Sequence, residues 1–149
     1  MARIRAHVLP DAHFERSRMT TASAVLELTK DNFVSSIDGH RFAVIDFWAP
    51  WCGPCRSFAP TFAAAAERHP EIRFAKVNTE EQQELAAHFR VRSIPTLMIF
   101  RDNIIVFAQA GALSASALDQ VLSAAEALDM DAVRREASAP EDQAKATSA

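Results

Sequence analysis

The chain has 149 residues, of which 49% are hydrophobic and 23% are charged, and its formal net charge is −3. These values are typical of one soluble globular domain with terminal extensions. The sequence has neither a long basic run nor an apolar run of membrane-spanning length, so we expect no nucleic-acid partner and no membrane association. Its two cysteines lie in one motif and do not make a secreted disulfide framework, which indicates a reducing compartment, the cytoplasm.

The first 24 residues differ in character from the residues that follow. Their arginines outnumber their acidic residues, which gives them a slightly basic balance. They lack the apolar segment of a secretory signal, and an Arg-rich organellar transit peptide is the alternative interpretation. We favour a disordered N-terminal extension over residues 1–24, with Met1 or Met19 as the start, because short polar termini are usually unstructured.

A short strand and a helix are predicted next. Residues 25–28 alternate in polarity as a strand does. Thr29 predicts the N-cap of a helix that carries Phe33 and Ile37, spaced four apart, on one face. The Asp-Gly pair at residues 38–39 predicts a turn that ends this helix.

Residues 42–48 form an almost continuous apolar run, which is typical of a central strand buried on both faces of a sheet. Asp46, in the middle, is the only charged residue of the run. An ionised carboxylate is costly in apolar surroundings, so we expect the pKa of Asp46 to be raised. A group that changes its charge near neutral pH suits general acid–base catalysis.

The two cysteines, Cys52 and Cys55, lie between this strand pattern and a helix pattern that runs to about residue 69. Their spacing at a helix start lets the sulfur atoms form a disulfide with little movement. Unpaired N–H groups and the helix dipole favour a thiolate at Cys52, and Pro54 fits the first turn. A Cys-x-x-Cys in this setting indicates a dithiol–disulfide redox site. The alternatives are a structural disulfide or half of a zinc site, although zinc normally takes four ligands.

A second strand–helix unit follows. Residues 72–78 alternate as a strand, and Thr79 with Gln82 resembles the capping box that starts a helix. Leu85 and Phe89 give this helix an apolar face. Strands at residues 97–100 and 104–108 then flank a hairpin turn at residues 101–103.

The last helix of the core is predicted to start at Ser114 or Ser116 as N-cap. Its apolar residues recur at the spacing of one helix face, at Leu118, Val121, Leu122 and Ala125. Residues 129–136 predict an additional helix. Residues 138–149 contain no large apolar residue and are expected to be disordered.

The predicted order of elements is β-α-β-α-β-α-β-β-α, which describes an α/β fold. Strand–helix alternation favours parallel strands, and the hairpin adds an antiparallel pair. We therefore expect a mixed central sheet with helices on both faces.

Five sequence blocks resemble the thioredoxin family in the same order: Asp46-Phe47-Trp48-Ala49, Trp51-Cys52-Gly53-Pro54-Cys55, Lys76-Val77-Asn78, Ile94-Pro95-Thr96 and Gly111-Ala112-Leu113. The residues in these blocks are most similar to those of the bacterial thioredoxin 2 type. That type carries an N-terminal zinc module with two cysteine pairs, which this chain lacks, so we expect no metal. The resemblance implies a thioredoxin fold over residues 25–128, followed by a short helix and tail at residues 129–149.

The resemblance implies four catalytic residues. Cys52 would attack a substrate disulfide, and Cys55 would resolve the resulting mixed disulfide. Asp46 would exchange a proton with the Cys55 thiol. The alternative for Asp46 is an ion pair with Lys76 on the next strand, and both can hold because Lys76 would tune Asp46.

The resemblance also implies a substrate groove beside the cysteines. Pro95 is expected to follow a cis peptide bond, and Ile94 to offer backbone groups to an extended substrate. The alternatives are an ordinary proline at a strand start and, for Gly111, a simple turn glycine. Trp51 is expected to shape the docking surface, whereas Trp48 is expected to pack. The complete predicted substrate-binding set is Trp51, Gly53, Pro54, Ile94, Pro95, Gly111 and Ala112.

The function implied is a monomeric protein-disulfide reductase recharged by an NADPH-dependent thioredoxin reductase. The chain has no Gly-x-Gly-x-x-Gly nucleotide-binding motif, so its electrons would come from that partner. A thiol oxidase or isomerase is one alternative, but Gly53-Pro54 between the cysteines resembles reductases. A redox-inactive or chaperone-like binding module is the other, but such a module would not require the cysteine pair or Asp46.

Overall fold

The structure is a computed structural model that describes residues 24–138. The predicted N-terminal extension, apart from residue 24, and the predicted tail, apart from residue 138, lie outside the described residues. Between residues 24 and 138, no helix combines the length and the apolar character that crossing a membrane requires.

Residues 24–138 contain one five-stranded mixed sheet with the strand order β1-β3-β2-β4-β5. The strands are β1 (Val25–Glu27), β2 (Phe42–Trp48), β3 (Arg73–Asn78), β4 (Thr96–Arg101) and β5 (Ile104–Ala110). Strand β3 runs parallel to β1 and β2, whereas β4 runs antiparallel to β2 and β5. The expected mixed sheet is confirmed.

The sequence predicted an antiparallel pair only for the hairpin, whereas β4 also pairs antiparallel with β2. The helix between β3 and β4 has six residues, so it spans only about 9 Å, whereas a strand of six residues spans about 20 Å. The chain therefore does not return to the opposite end of the sheet. It enters β4 at the end where β3 finished.

The helices of this part of the chain lie on both faces of the sheet, as predicted. They are α1 (Phe33–Ile37), α2 (Gly53–Arg68), α3 (Gln83–His88), α4 (Ala115–Glu126) and α5 (Met130–Ala137). Helices α2 and α4 pack on one face around Val44, and α1 and α3 pack on the other around Ile45 and Phe47. Consecutive side chains of β2 point to opposite faces, so the whole strand is covered.

The start of α1 differs from the prediction. Helix α1 begins at Phe33, and its N-cap is Asn32 rather than Thr29. The Thr29 N–H donates to Asn32 Oδ1 at 2.7 Å, and the Asn32 N–H donates to Thr29 Oγ1 at 3.4 Å. These reciprocal bonds hold a turn ahead of the helix because short polar side chains compete for backbone groups.

The capping box predicted for α3 is wrong. Gln82 is the N-cap residue but makes no side-chain capping bond. The Thr79 hydroxyl instead donates to the Trp48 carbonyl oxygen at 3.1 Å. Asn78 Oδ1 accepts the N–H groups of Glu80 and Glu81, so it closes the turn that leads to the helix.

The two ends of the sheet differ in which strands begin, end or turn there. At the cysteine end, defined by Trp48, Asn78, Thr96 and Ala110, strands β2, β3 and β5 end and β4 begins. The opposite end, the hairpin end, contains the β4–β5 turn at residues 102–103. Both turn residues have positive φ, as expected of a two-residue hairpin turn.

The C-terminal end of α4 and helix α5 lie near the hairpin end. Ser114 caps α4 by accepting the Ala117 N–H at 3.1 Å, which confirms one of the two predicted caps. Helix α5, predicted at residues 129–136, is present. Its Met130 is buried, and its Arg134 forms a 2.9 Å ion pair with Asp102 of the hairpin turn.

Candidate active site

The cysteines lie where β2 leads into α2. Cys52 is the N-cap residue of α2, with an extended backbone, and its sulfur accepts the Cys55 N–H at 3.2 Å. Pro54 lies in the first turn, where a missing N–H leaves no bond unmade. The sulfur of Cys52 therefore lies at the helix terminus that stabilises negative charge.

Cys52 and Cys55 form a disulfide, with their Cα atoms 5.2 Å apart. Cys55 is 1% exposed and Cys52 is 5% exposed. Cys52 adjoins Trp51, whose side chain is 64% exposed, and Gly53 and Pro54 are exposed beside it. The pair is thus oxidised and buried, next to exposed residues of the cysteine end.

The segment before β4 lies against this disulfide. The Ile94–Pro95 peptide bond is cis, as the resemblance implies. The Ile94 carbonyl oxygen lies 3.8 Å from Cys52 Sγ, and Ile94 packs on the small apolar cluster that contains both cysteines. These contacts bring the segment of Ile94 and Pro95 next to the Cys52 sulfur.

Gly111 joins the end of β5 to the same segment. Its N–H donates to the Pro95 carbonyl oxygen at 2.8 Å, and its φ is +106°, a value that favours glycine. A Cβ atom built at Gly111 would meet no atom within 4 Å. The backbone angle, rather than crowding within the protein, therefore explains this glycine. Ala112 follows it and is exposed.

Asp46 lies in β2 on the face covered by α2. It is 4% exposed, and its Oδ1 finds no hydrogen-bond partner among the described residues. Burial raises the pKa of Asp46 to about 7, and the charge of Lys76 opposes part of that rise. The carboxyl group is thus able to accept or release a proton near neutral pH.

Lys76 is the residue of β3 paired in register with Asp46. Its Nζ lies 5.0 Å from the centre of the Trp48 ring, as in a cation–π contact. The ion pairs that residues 24–138 form do not include one between Asp46 and Lys76. Lys76 therefore acts on Asp46 through space, and the direct ion pair considered above is not made.

A cavity of about 270 Å³ connects three of the predicted catalytic residues. Asp46, Cys55 and Lys76 all line it, together with Arg56 and Glu67 of α2. The cavity gives the buried carboxyl and the buried sulfur a shared space that is wide enough for water.

Sequence reasoning did not identify Arg56 or Glu67 as neighbours of this cavity. A signal existed, because the lining residues of α2 include Arg56, Ala59, Ala63 and Glu67, which are spaced three or four apart along one helix face.

No three His, Cys, Asp or Glu residues within residues 24–138 lie together in a way that could hold a metal ion.

Comparisons with known proteins agree with one another. The thioredoxin family model matches residues 24–124. A Streptomyces coelicolor protein assigned as a thioredoxin 2 is 51% identical over 113 residues, which cover 76% of this chain and 84% of the relative. Thioredoxin 1 of a Nostoc species is 40% identical over 102 residues, 67% of this chain and 95% of the relative.

Solved structures show the same similarity. A mutant thioredoxin from Halobacterium salinarum superposes with a TM-score of 0.63 at 29% identity, covering 66% of this chain and 88% of that one. A Malassezia sympodialis thioredoxin superposes with a TM-score of 0.61 at 30% identity, covering 66% and 88%.

Proposed function

The chain belongs to the thioredoxin family and is a disulfide reductase, and on that premise we propose which of its residues carry out the reaction. Cys52 is the nucleophile and Cys55 the resolving residue. The observation that supports this assignment is the position of Cys52 as N-cap of α2, with its sulfur accepting the Cys55 N–H and within bonding reach of Cys55.

The exchange proceeds in two steps. The Cys52 thiolate attacks one sulfur of the substrate disulfide, a mixed disulfide forms, and the first substrate thiolate leaves. The Cys55 thiolate then attacks the Cys52 sulfur, the mixed disulfide breaks, and the second substrate thiolate leaves. The substrate gains two electrons and the Cys52–Cys55 pair loses them.

Asp46 takes the proton of the Cys55 thiol before the second step. Both groups line the same cavity, and the pKa of Asp46, raised to about 7 by burial, gives the carboxylate enough basicity for this transfer. Lys76 limits that rise through its positive charge. Water in the cavity would carry the proton between the two groups.

The substrate binds in the groove predicted from the sequence. An extended segment lies along Ile94 and Pro95, next to Gly111 and Ala112, as in the addition of a strand. Trp51, Gly53 and Pro54 provide the exposed surface beside the reactive sulfur. This arrangement would present a substrate disulfide to Cys52.

The family acts on disulfide substrates and works with reductases. For this chain we propose an NADPH-dependent thioredoxin reductase as electron donor, a monomeric state and a cytoplasmic location. The proposal of an external electron donor is supported by the redox pair itself and by the absence of a dinucleotide-binding motif in the sequence.

The test measures reduction of a disulfide-containing protein, first with dithiothreitol and then with NADPH and thioredoxin reductase. Wild type should accelerate both reactions, and Cys52→Ser should leave only the uncatalysed rate. Cys55→Ser should accumulate a mixed disulfide with its substrate, visible by mass spectrometry. Ser123→Ala, an exposed change on α4, is the matched control and should behave as wild type. Equal rates for wild type and Cys52→Ser would contradict the proposal.

A further inference from the structure

Three arginines lie close along the chain to Cys55 or to Ile94, which packs against the disulfide. Arg56 follows Cys55 on α2, and Arg90 and Arg92 lie in the segment that leads to Ile94. All three are exposed, and no ion pair formed within residues 24–138 includes any of them. The Cα atom of Arg92 lies at most about 7 Å from that of Ile94, whose carbonyl oxygen is 3.8 Å from Cys52 Sγ.

The backbone at Arg90 is unfavourable for an arginine. Its φ is +55°, in the left-handed region that glycine adopts with least cost. The residue follows the C-cap of α3, and its N–H donates to the Ala87 carbonyl oxygen at 3.1 Å. A side chain in a strained position, exposed and next to a reactive site, suggests a use for that side chain.

The opposite flank of Cys52 has the opposite charge. The loop after β3 carries exposed Glu80 and Glu81, and the Thr79 N–H joins this loop to the Trp48 carbonyl oxygen at 2.8 Å. Lys30, a neighbouring cation, is paired with Glu84 at 3.4 Å. The strand order β3-β2-β4 places this acidic loop on one side of the cysteine segment and the segment with Arg90 and Arg92 on the other. Arg56 is not part of that segment, because it lines the cavity that also includes Lys76 of β3.

We propose that Arg90 and Arg92 form a cationic border that selects polypeptide disulfides flanked by carboxylates. This preference rests on the reductase function proposed above and names its substrate class. An acidic segment next to the substrate cystine is attracted to the arginine side and repelled by Glu80 and Glu81. The substrate is therefore both enriched near Cys52 and oriented in the groove.

The test uses reduced protein and short peptide disulfides whose residues next to cysteine are Asp, Ser or Lys. Oxidation of the protein is followed by quenching, alkylation of free thiols and mass spectrometry, so no reductase is present. At an ionic strength of about 0.01 M the Asp peptide should react about tenfold faster than the Lys peptide, and at about 1 M the difference should fall below about twofold.

Two double variants separate local charge from net charge. Arg90→Gln/Arg92→Gln should reduce the preference for the Asp peptide to about threefold or less. Arg41→Gln/Arg135→Gln is the matched control, because it removes the same charge from exposed positions outside the cysteine end, and it should keep the wild-type preference. The proposal is overturned if the wild type shows no preference, or if both variants retain it equally.

Orientation gives a second measurement. Two peptides, one with Asp before and Lys after the cysteine and one with the reverse order, should react at different rates. That difference should shrink in Glu80→Gln/Glu81→Gln, and equal rates in wild type would overturn the opposed arrangement of charges. Failure of the reductase function would look different, because the neutral Ser peptide would then not be reduced at all.

Discussion

Arg101 and Asp46 are charged side chains buried at different places in the same sheet, and their surroundings differ. Arg101, at the hairpin end, is 6% exposed; its Nε donates to the Arg41 carbonyl oxygen at 3.3 Å and its Nη1 to those of Ala125 and Glu126 at 2.5 and 3.1 Å. Asp46, towards the cysteine end, is 4% exposed, and its Oδ1 has no hydrogen-bond partner within residues 24–138.

The difference separates a charge that supports the fold from a charge that we propose takes part in the chemistry. The bonds of Arg101 provide donors for the last carbonyl groups of α4, which the helix itself cannot satisfy. The charge of Lys76 only partly offsets the cost of burying the Asp46 carboxylate. Burial therefore stabilises the neutral form of Asp46 relative to its charged form. A group in that condition can change its protonation while the fold persists.

The largest expected effect is that of Asp46→Asn on stability above neutral pH. The native pKa of about 7 lies above the ordinary value of 3.8, so the native state binds more protons than the unfolded state between these values. Wild type is therefore stabilised by this group below pH 3.8 and loses that stability as pH rises to about 7. The loss amounts to about 4 kcal/mol. The Asp46→Asn variant should not show this loss of stability.

Urea denaturation of the oxidised proteins between about pH 4 and about pH 8.5 measures this difference. Asp46→Asn should be the more stable protein at the upper limit and should resolve mixed disulfides more slowly. Asp31→Asn, which removes an exposed carboxyl group, is the matched control and should follow wild type. Parallel stability curves for wild type and Asp46→Asn would contradict the assigned burial cost.

Arg101→Met should have the next largest effect, in the opposite direction. Methionine fills similar space but leaves the Ala125 and Glu126 carbonyl groups without their donor, so we expect a loss of about 3 kcal/mol in the free energy of unfolding. Disulfide reduction should continue at the wild-type rate under folding conditions. Arg101→Lys should recover part of the stability, and a loss common to activity and stability would contradict the separation of the two ends.

Much of the fold could be predicted because its signals are local. The apolar run of β2 is visible within seven residues, and the spacing of Cys52 and Cys55 within four. Both features also fix where α2 begins. The position of the reactive pair at the end of a buried strand therefore followed from the sequence.

The remaining features depend on partners far along the chain. Thr79 has the side chain of an N-cap, but the carbonyl group of Trp48 takes its hydroxyl across 31 positions of sequence. Arg101 was predicted in the turn, yet it ends β4 because the carbonyl groups at the end of α4 receive its guanidinium. Lys76 packs over Trp48 instead of pairing with Asp46, which only the packed structure decides.

The smallest expected effect is a change in stability caused by backbone strain, which we compare at the same two ends of the sheet. Asp102 and Asn103 have φ values of 51° and 66° in the hairpin turn, where Asp and Asn tolerate that conformation, whereas Arg90 has a φ of 55° near the cysteine end. Arg90→Gly should stabilise the protein by about 1 kcal/mol, reduced slightly by the greater freedom of glycine in the unfolded chain. Asn103→Gly is the comparison in the hairpin turn, and it should not stabilise the protein, because it also removes the 2.9 Å hydrogen bond that Asn103 Nδ2 donates to Asp38 Oδ1. Urea denaturation measures both, and a destabilised Arg90→Gly would mean that the arginine side chain holds the fold rather than the substrate.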